Sequence, residues 1–336
     1  MRWVPLVLMM LVCVPSASAH RAFWTAPEFT DRSTGTVVDT GDDQWRRLVT
    51  ADGGRSWRRL RQVRRVAANP SGLWLGWTGS VVRQGTPAAT PWPVVSRLRQ
   101  PIRALTARGS GAWALTSRCS RCPLRLWHSF DAGRSWYFKS LPRSRANGSD
   151  ALVFSNAADG FVIYARPNAS MVSRTTNDGG HSWAAPVRRP CGRHTRVGVA
   201  PDGAIWLACA GEPVGGRQGH LILVSTDGGR TFKRRGEGAI PGSPGVSPRG
   251  NIGGAGYLHD LDPVSATTAY IELYRAGLRR SRNGGTHWRT LRPFAFGDGA
   301  QFGGTSAVGR NVWEAHTGLG LFHSSDFGVT WRRILR

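Results

Sequence analysis

The sequence predicts an all-β fold, a seven-bladed β-propeller whose blades are four-stranded antiparallel sheets. Three observations predict it. An octapeptide of the form Ser/Thr-x-Asp-x-Gly-x-Ser/Thr-Trp/Phe recurs six times along the 336 residues. A second turn pattern, small or polar residues followed by an aromatic strand opening, precedes most copies. The copies recur at unit lengths of about 45 residues, the size of a propeller blade.

The chain opens with a basic Arg2, an apolar run from Trp3 to Val14 and a small-x-small site at Ala17-Ser18-Ala19. This is the grammar of a signal peptide over residues 1–19. The apolar run holds Pro5 and is too short for a membrane span, which needs about 18 residues. The protein is therefore expected to be secreted or extracytoplasmic, with residues 20–336 forming the propeller.

The octapeptides are TADGGRSW from Thr50, SFDAGRSW from Ser129, TNDGGHSW from Thr176, STDGGRTF from Ser225, SRNGGTHW from Ser281 and SSDFGVTW from Ser324. The first interval is close to twice the others, so a degenerate copy is expected between Ala88 and Arg99. In each copy the Asp accepts turn amides, Gly supplies a positive φ, and the closing aromatic starts the next strand. The second pattern reads NPSGLW, RGSGAW, NAADGF, APDGAIW, VSATTAY and VGRNVW, and its aromatics Trp74, Trp113, Phe161, Trp206, Tyr270 and Trp313 are expected in the core. Phe29–Val38 is the version in the first unit, without the aromatic opening. Each unit thus holds four short strands, with the octapeptide joining the third to the fourth. One such sheet cannot cover both its faces, and a ring of sheets does. Long unequal loops and hairpin signals disfavour a stacked solenoid.

Four cysteines follow the apolar run: Cys119, Cys122, Cys191 and Cys209. An even number in an exported chain implies bridges. Cys191 and Cys209 flank a hairpin turning at Pro201-Asp202-Gly203, so 191–209 and 119–122 are the preferred pairs among three connectivities. A zinc site at Cys119-x-x-Cys122 lacks a second CxxC or an HxxxH, and no metal or cofactor is expected.

Lys and Arg number 45 against 20 Asp and Glu, a formal charge of +25, and Lys139 and Lys233 are the only lysines. Such an excess attracts anionic partners, and Arg forks grip carboxylate and phosphate bidentately. An anionic glycan, a wall polymer, a membrane surface or a protein is the expected partner, with no specific nucleic acid because no recognition module is present. Asn147 and Asn168 head glycosylation sequons by pattern. If octapeptides and aromatic turns share one end of the ring, the opposite end carries the long loops and is the expected ligand face. Arg193, His194, Glu212, Arg249, Tyr257, His259, Asp260 and Arg275 are its candidate binding residues, with Phe294, Phe296 and Asp298 on a neighbouring loop.

In its six octapeptides, over roughly residues 26–336, the chain resembles the Asp-box, or bacterial neuraminidase repeat, propellers. That superfamily includes sialidases, other glycosidases, a photosystem assembly factor and non-catalytic secreted proteins. The resemblance implies that Asp52, Asp131, Asp178, Asp227 and Asp326 are peripheral turn formers, with Asn283 and His287 departing from the pattern in the sixth copy. A sialidase is expected to start its first blade with an Arg-Ile-Pro-like motif and to pair a Tyr nucleophile with Glu. The first blade here reads HRAFWTAPEF, and Glu272-Leu-Tyr274 offers only alternate residues of one strand. A non-catalytic binding or assembly module is the preferred function, and an exo-sialidase-type hydrolase the alternative.

Overall fold

The computed structural model describes residues 24–336 except 41–44, 69–71, 140, 142–143, 145–149, 167–170, 193, 239–249, 251, 254, 293–301 and 318. The signal peptide, Arg193, Arg249, Phe294, Phe296, Asp298 and both sequons lie outside the described residues.

Each blade is a consecutive antiparallel sheet, and seven of them make the ring. Blade 1 holds β1 (Trp24–Phe29), β2 (Gly35–Asp39), β3 (Arg46–Thr50) and β4 (Arg58–Leu60). Blade 2 holds β5 (Arg65–Ala67), β6 (Trp74–Thr78), β7 (Val81–Gly85) and β8 (Val94–Arg97). Blade 3 holds β9 (Ile102–Arg108), β10 (Gly111–Thr116), β11 (Arg125–Ser129) and β12 (Tyr137–Lys139). Blade 4 holds β13 (Ala151–Phe154), β14 (Gly160–Ala165), β15 (Met171–Thr176) and β16 (Val187–Arg188). Blade 5 holds β17 (His194–Val199), β18 (Ile205–Ala210), β19 (His220–Ser225) and β20 (Lys233–Gly238). Blade 6 holds β21 (Tyr257–Pro263), β22 (Ala269–Tyr274), β23 (Gly277–Ser281) and β24 (Arg289–Arg292). Blade 7 holds β25 (Phe302–Val308), β26 (Asn311–His316), β27 (Gly320–Ser324) and β28 (Arg332–Leu335).

The octapeptides join third to fourth strands, as expected. In blade 1, Thr50 Oγ1 donates to Asp52 Oδ1 at 2.8 Å and accepts from Gly54 N at 2.9 Å, while Ser56 N and Oγ donate to the same carboxylate at 2.9 and 2.5 Å. The carboxylate thereby replaces water for several turn donors, which holds the Asp131 carboxyl down near 2, through Ser135 first. Asn283 keeps the frame of the turn, accepting from Ser281 Oγ at 3.0 Å and His287 N at 2.9 Å. The degenerate copy spans residues 85–92, starting three residues before the expected stretch and overlapping it through Trp92. Gly85, Pro87 and Ala89 stand where hydroxyl, carboxylate and glycine belong. Its closing aromatic survives, since Trp92 is buried and its indole donates to Thr86 O at 2.9 Å.

These turns also bind blade to blade. Gly229 has φ +85°, and a Cβ there would lie 2.5 Å from the Phe161 ring of blade 4. The six turn aromatics are all buried. Trp113 donates to Gly179 O of blade 4 at 2.7 Å and stacks on Phe154 at 3.7 Å. Side chains close the ring without strand exchange: Phe29 of blade 1 stacks on Trp313 of blade 7 at 3.9 Å, and Phe29 N donates to Ser306 Oγ at 2.9 Å. Both expected disulfides, Cys119–Cys122 and Cys191–Cys209, are formed.

Candidate functional site

Successive strands of a blade run in opposite directions, so the β1–β2 type turns and the octapeptides share one end of the ring. The β2–β3 type loops and the interblade links share the other. Charge divides between these ends. The octapeptide end carries Asp31, Asp52, Asp131, Asp159, Asp178, Asp202, Asp227 and Asp326 in its turns, alongside arginines such as Arg55, Arg230 and Arg310. On the loop end, Arg61, Arg64, Arg99, Arg118, Arg121, Arg217 and Arg275 are exposed, and the carboxylates among its described loop residues are Glu212 and the half-buried Asp150.

Blades 5 and 6 build the best-defined part of this loop end. The β18–β19 loop, residues 211–219, folds back on itself through Gly211 N to Gly219 O at 2.9 Å. Buried Gln218 donates to Gly211 O at 2.8 Å and accepts from Leu258 N at 2.7 Å, which docks the loop on β21. Tyr257 OH accepts from Gly216 N at 3.1 Å, and the Tyr257 and Tyr274 rings stack 6.1 Å apart. The exposed Arg275 guanidinium lies 5.5 Å from the Tyr274 ring centre, on a residue held at φ +69°, a region that favours glycine. Tyr257 and Arg275 thus come together through Tyr274. His194 and Glu212 pair separately at 3.8 Å, both largely in solvent.

His259 and Asp260 point elsewhere. A bulge in the β21–β22 register lies between Leu258 and Asp260. His259 Nδ1 approaches Glu272 Oε1 at 3.3 Å, and its backbone carbonyl accepts from Arg196 Nε at 2.7 Å. Asp260 accepts from Thr305 N of blade 7 at 2.9 Å. Asp260 therefore belongs to the junction between blades 6 and 7, and His259 reaches that junction only through Glu272, while its backbone meets blade 5.

That junction holds the residues that sequence reasoning missed. Glu272 of β22 and Glu314 of β26 are 0% exposed. Equivalent middle-strand positions at other junctions are apolar: Leu115 with Val162, Ile163 with Leu207, Ala208 with Ile271. Burial pushes the Glu272 carboxyl up to about 7; His259 opposes this, while Asp260 and Glu314 add to it. Thr305 Oγ1 donates to Glu272 Oε2 at 3.3 Å, and His316 Nε2 lies 3.2 Å from Glu314 Oε1. Burial also lifts Glu28 of β1 to about 7, against Arg47 and with Asp260. Asp262 rises through burial and Asp260 despite a bond from Ala307 N. His259 is the half-exposed end of this group; desolvation lowers its pKa, but the bond and charge of Glu272 outweigh it and the net shift is upward. The arrangement can pass a proton between a solvent-facing imidazole and a buried carboxyl. The signal was a Glu in each of the strand runs AYIELY and NVWEAH, where sister blades carry aliphatic residues. Among the described residues no cluster of His, Cys, Asp and Glu is arranged to hold a metal ion.

No protein-family model matches the chain. No curated protein sequence matches it either. Among solved structures it is similar to the GH74 xyloglucanase of Xanthomonas campestris, at 16% identity and TM-score 0.64 over 94% of this chain and 55% of that one. The GH74 enzyme of Niastella koreensis gives 15%, 0.63, 94% and 55%. YCF48 from Cyanidioschyzon merolae gives 16% identity and TM-score 0.58 over 90% of this chain and 95% of that one. The likeness is one of fold. The chain spans about half the length of the GH74 enzymes it matches.

Proposed function

We propose that the protein is an exported propeller of the Asp-box kind, acting as a non-catalytic binding or assembly module. It takes an anionic glycan, envelope component or protein partner on its loop end. The observation that carries this reading is the division of charge. Among the described residues the loop end carries seven exposed loop arginines against Glu212 and Asp150, while carboxylates cluster at the octapeptide end or are sunk in the blade 6–7 junction. The β18–β19 loop, docked on Leu258 and Tyr257, sits beside the Tyr257 and Tyr274 rings and the Arg275 guanidinium. The two disulfides support an extracytoplasmic location. The octapeptides, by contrast, use their own oxygens and hydroxyls within each turn.

The test is charge reversal at each end. Arg118→Glu, Arg121→Glu and Arg275→Glu combined are expected to abolish salt-sensitive retention on anionic phospholipid vesicles. Arg55→Glu, Arg230→Glu and Arg310→Glu combined are expected to preserve it. Equal loss from both sets would show that net charge alone governs binding and would overturn the assignment of a face.

A further inference from the structure

The outer rim between blades 2 and 3 holds a groove of about 730 Å³, well away from the blade 5–6 mouth. Arg97 and Arg99 line it from blade 2 and the following link, and Arg125 and Arg134 from blade 3; no carboxylate lines it. Its apolar surface is aromatic: Trp127, Trp136, Tyr137 and Phe138.

These rings are not scattered surface hydrophobes. Tyr137 is 55% and Phe138 52% exposed on the edge strand β12; Phe138 pairs with Trp127 on the groove face, while Tyr137, on the alternate face, packs against Phe130. Directly after their octapeptides, blades 1, 5, 6 and 7 instead carry Arg58-Arg59, Lys233-Arg234, Arg289-Thr290 and Arg332-Arg333. Blade 3 alone among these five thus exposes two rings where its sisters expose charge or a hydroxyl. The surroundings also fix the ring positions. Trp136 Nε1 donates to Ser96 Oγ of blade 2 at 2.9 Å, tying the two walls together. Trp127 Nε1 donates to Thr116 Oγ1 at 2.9 Å and meets Phe138 edge-on at 5.5 Å. Arg125 lies 5.7 Å from the Phe138 centroid. Arg134 belongs to the octapeptide end and Arg99 and Arg125 to the loop end, so the groove runs along the blade. The five residues of β11 alone span about 17 Å.

We infer that this groove binds a stretch of acidic polysaccharide, a chain of sugars bearing carboxylate or sulfate groups. Sugar C–H faces stack on the Trp127, Trp136 and Phe138 rings, and Arg97, Arg99, Arg125 and Arg134 meet the acid groups as planar forks. The elongated, concave shape suits a linear polymer better than a membrane surface. An export signal makes an extracytoplasmic polymer the occupant rather than single-stranded nucleic acid, which would otherwise use the same chemistry. The site stands apart from the loop end, so its fate and that of the proposed function are separable.

The test uses the full chain with polygalacturonate oligomers, neutral cello-oligomers and oligothymidylate, by calorimetry at fixed ionic strength. The double variant Tyr137→Arg and Phe138→Arg gives blade 3 the residues of its sisters and adds positive charge. It is expected to weaken polygalacturonate binding about tenfold, because the Phe138 stacking partner is lost. Phe138→Ser with unchanged melting temperature is the second variant, expected to act in the same direction, and Arg310→Ala, at the octapeptide end of blade 7, is expected to leave this binding intact. Unchanged or tighter binding by the Arg double variant would show simple charge attraction and overturn the inference. Equal affinity for oligothymidylate or for neutral oligomers would also overturn it.

Discussion

Replacing Glu272 by Gln isolates the buried carboxyl of the blade 6–7 junction. Glu272 is 0% exposed, and its carboxyl is raised from 4.5 to about 7, by burial first and then by Asp260 and Glu314 against His259. In the unfolded chain it titrates at its ordinary value. Between the two values the folded state holds the proton more tightly, so stability falls as pH rises through this window. Below pH 4.5 both states are neutral at this group and no penalty exists; above about 7 the folded state carries the whole of it. At 1.36 kcal/mol per unit, this comes to roughly 3 kcal/mol. His259 works in the same direction: its raised value gives stability that is complete below its ordinary pKa and is lost as pH climbs through the folded one. For a chain of 336 residues, an unfolding entropy of about 0.7 kcal/mol/K converts 3 kcal/mol to about 4 °C. Urea denaturation and thermal melting of the wild type and of Glu272→Gln across pH 4 to 8 are the assays. Glu272→Gln is expected to lose the Glu272 share of a decline to which Glu28, Asp262 and His259 also contribute, so that the difference between the two proteins shifts in favour of Gln by roughly 3 kcal/mol from pH 4.5 to pH 8. Parallel curves would refute the reasoning, because any constant cost of the substitution cancels in that comparison.

The octapeptide aspartates act with the opposite sign. Asp131, held near 2, contributes stability that is present above its ordinary value and lost as pH falls through the folded one, so melting temperature should also drop in strong acid and Asp131→Asn should flatten that limb. Gly229→Ala forces a side chain onto φ +85° and a Cβ to 2.5 Å from the Phe161 ring; a loss of about 1–3 kcal/mol is expected in chemical denaturation. The two disulfides close loops of sequence separation 3 and 18, so removing Cys191–Cys209 should cost about 1.6 kcal/mol more than removing Cys119–Cys122 by chain entropy. Fluorogenic sialoside is expected to remain unhydrolysed; turnover that is lost in Tyr257→Phe or Tyr274→Phe would favour the hydrolase reading.

Blade number and blade order were legible because each octapeptide encodes its own turn. Hydroxyl, carboxylate and glycine are all satisfied within eight residues, and no distant contact is needed to specify them. The core aromatics were legible for a related reason, since Trp113 or Trp206 opens a strand at a fixed offset from a turn. The blade 2 copy was placed only to within a few residues because its turn chemistry is gone and only Trp92 marks it. Side-chain destinations near the ring axis were not legible. His259 and Asp260 were assigned to the loop face from their place in the chain, but the bulge between Leu258 and Asp260 and the adjacency of β25 turn Asp260 into the junction, which His259 reaches only through Glu272. The rim groove was hidden for a different reason: Ser96 and Trp136 are 40 residues apart, and only the spacing of neighbouring outer strands brings them together.

The blade 6–7 junction also differs mechanically from its neighbours. Tyr270, Leu278 and Val312 form its buried apolar cluster, whereas the blade 5–6 junction runs from Trp206 and Trp288 through Ile222, Ile271 and Leu273. Apolar area is the main source of cohesion between sheets, so the seam with the least of it depends most on its polar bonds. Among the groups that hold those bonds, the Glu272 carboxyl is raised to about 7 by burial and so changes charge near neutrality. A buried carboxyl is costly when ionised and nearly neutral in cost when protonated and hydrogen-bonded. Replacing Glu272 and Glu314 by the Leu or Ile of sister blades would remove that cost. The chain instead places two carboxylates there within a strongly basic protein, and the surrounding Thr305, His259 and His316 are arranged to serve them. The blade 6–7 seam is therefore titratable through Glu272, and it adjoins the strand β21 on which the β18–β19 loop of the loop end docks.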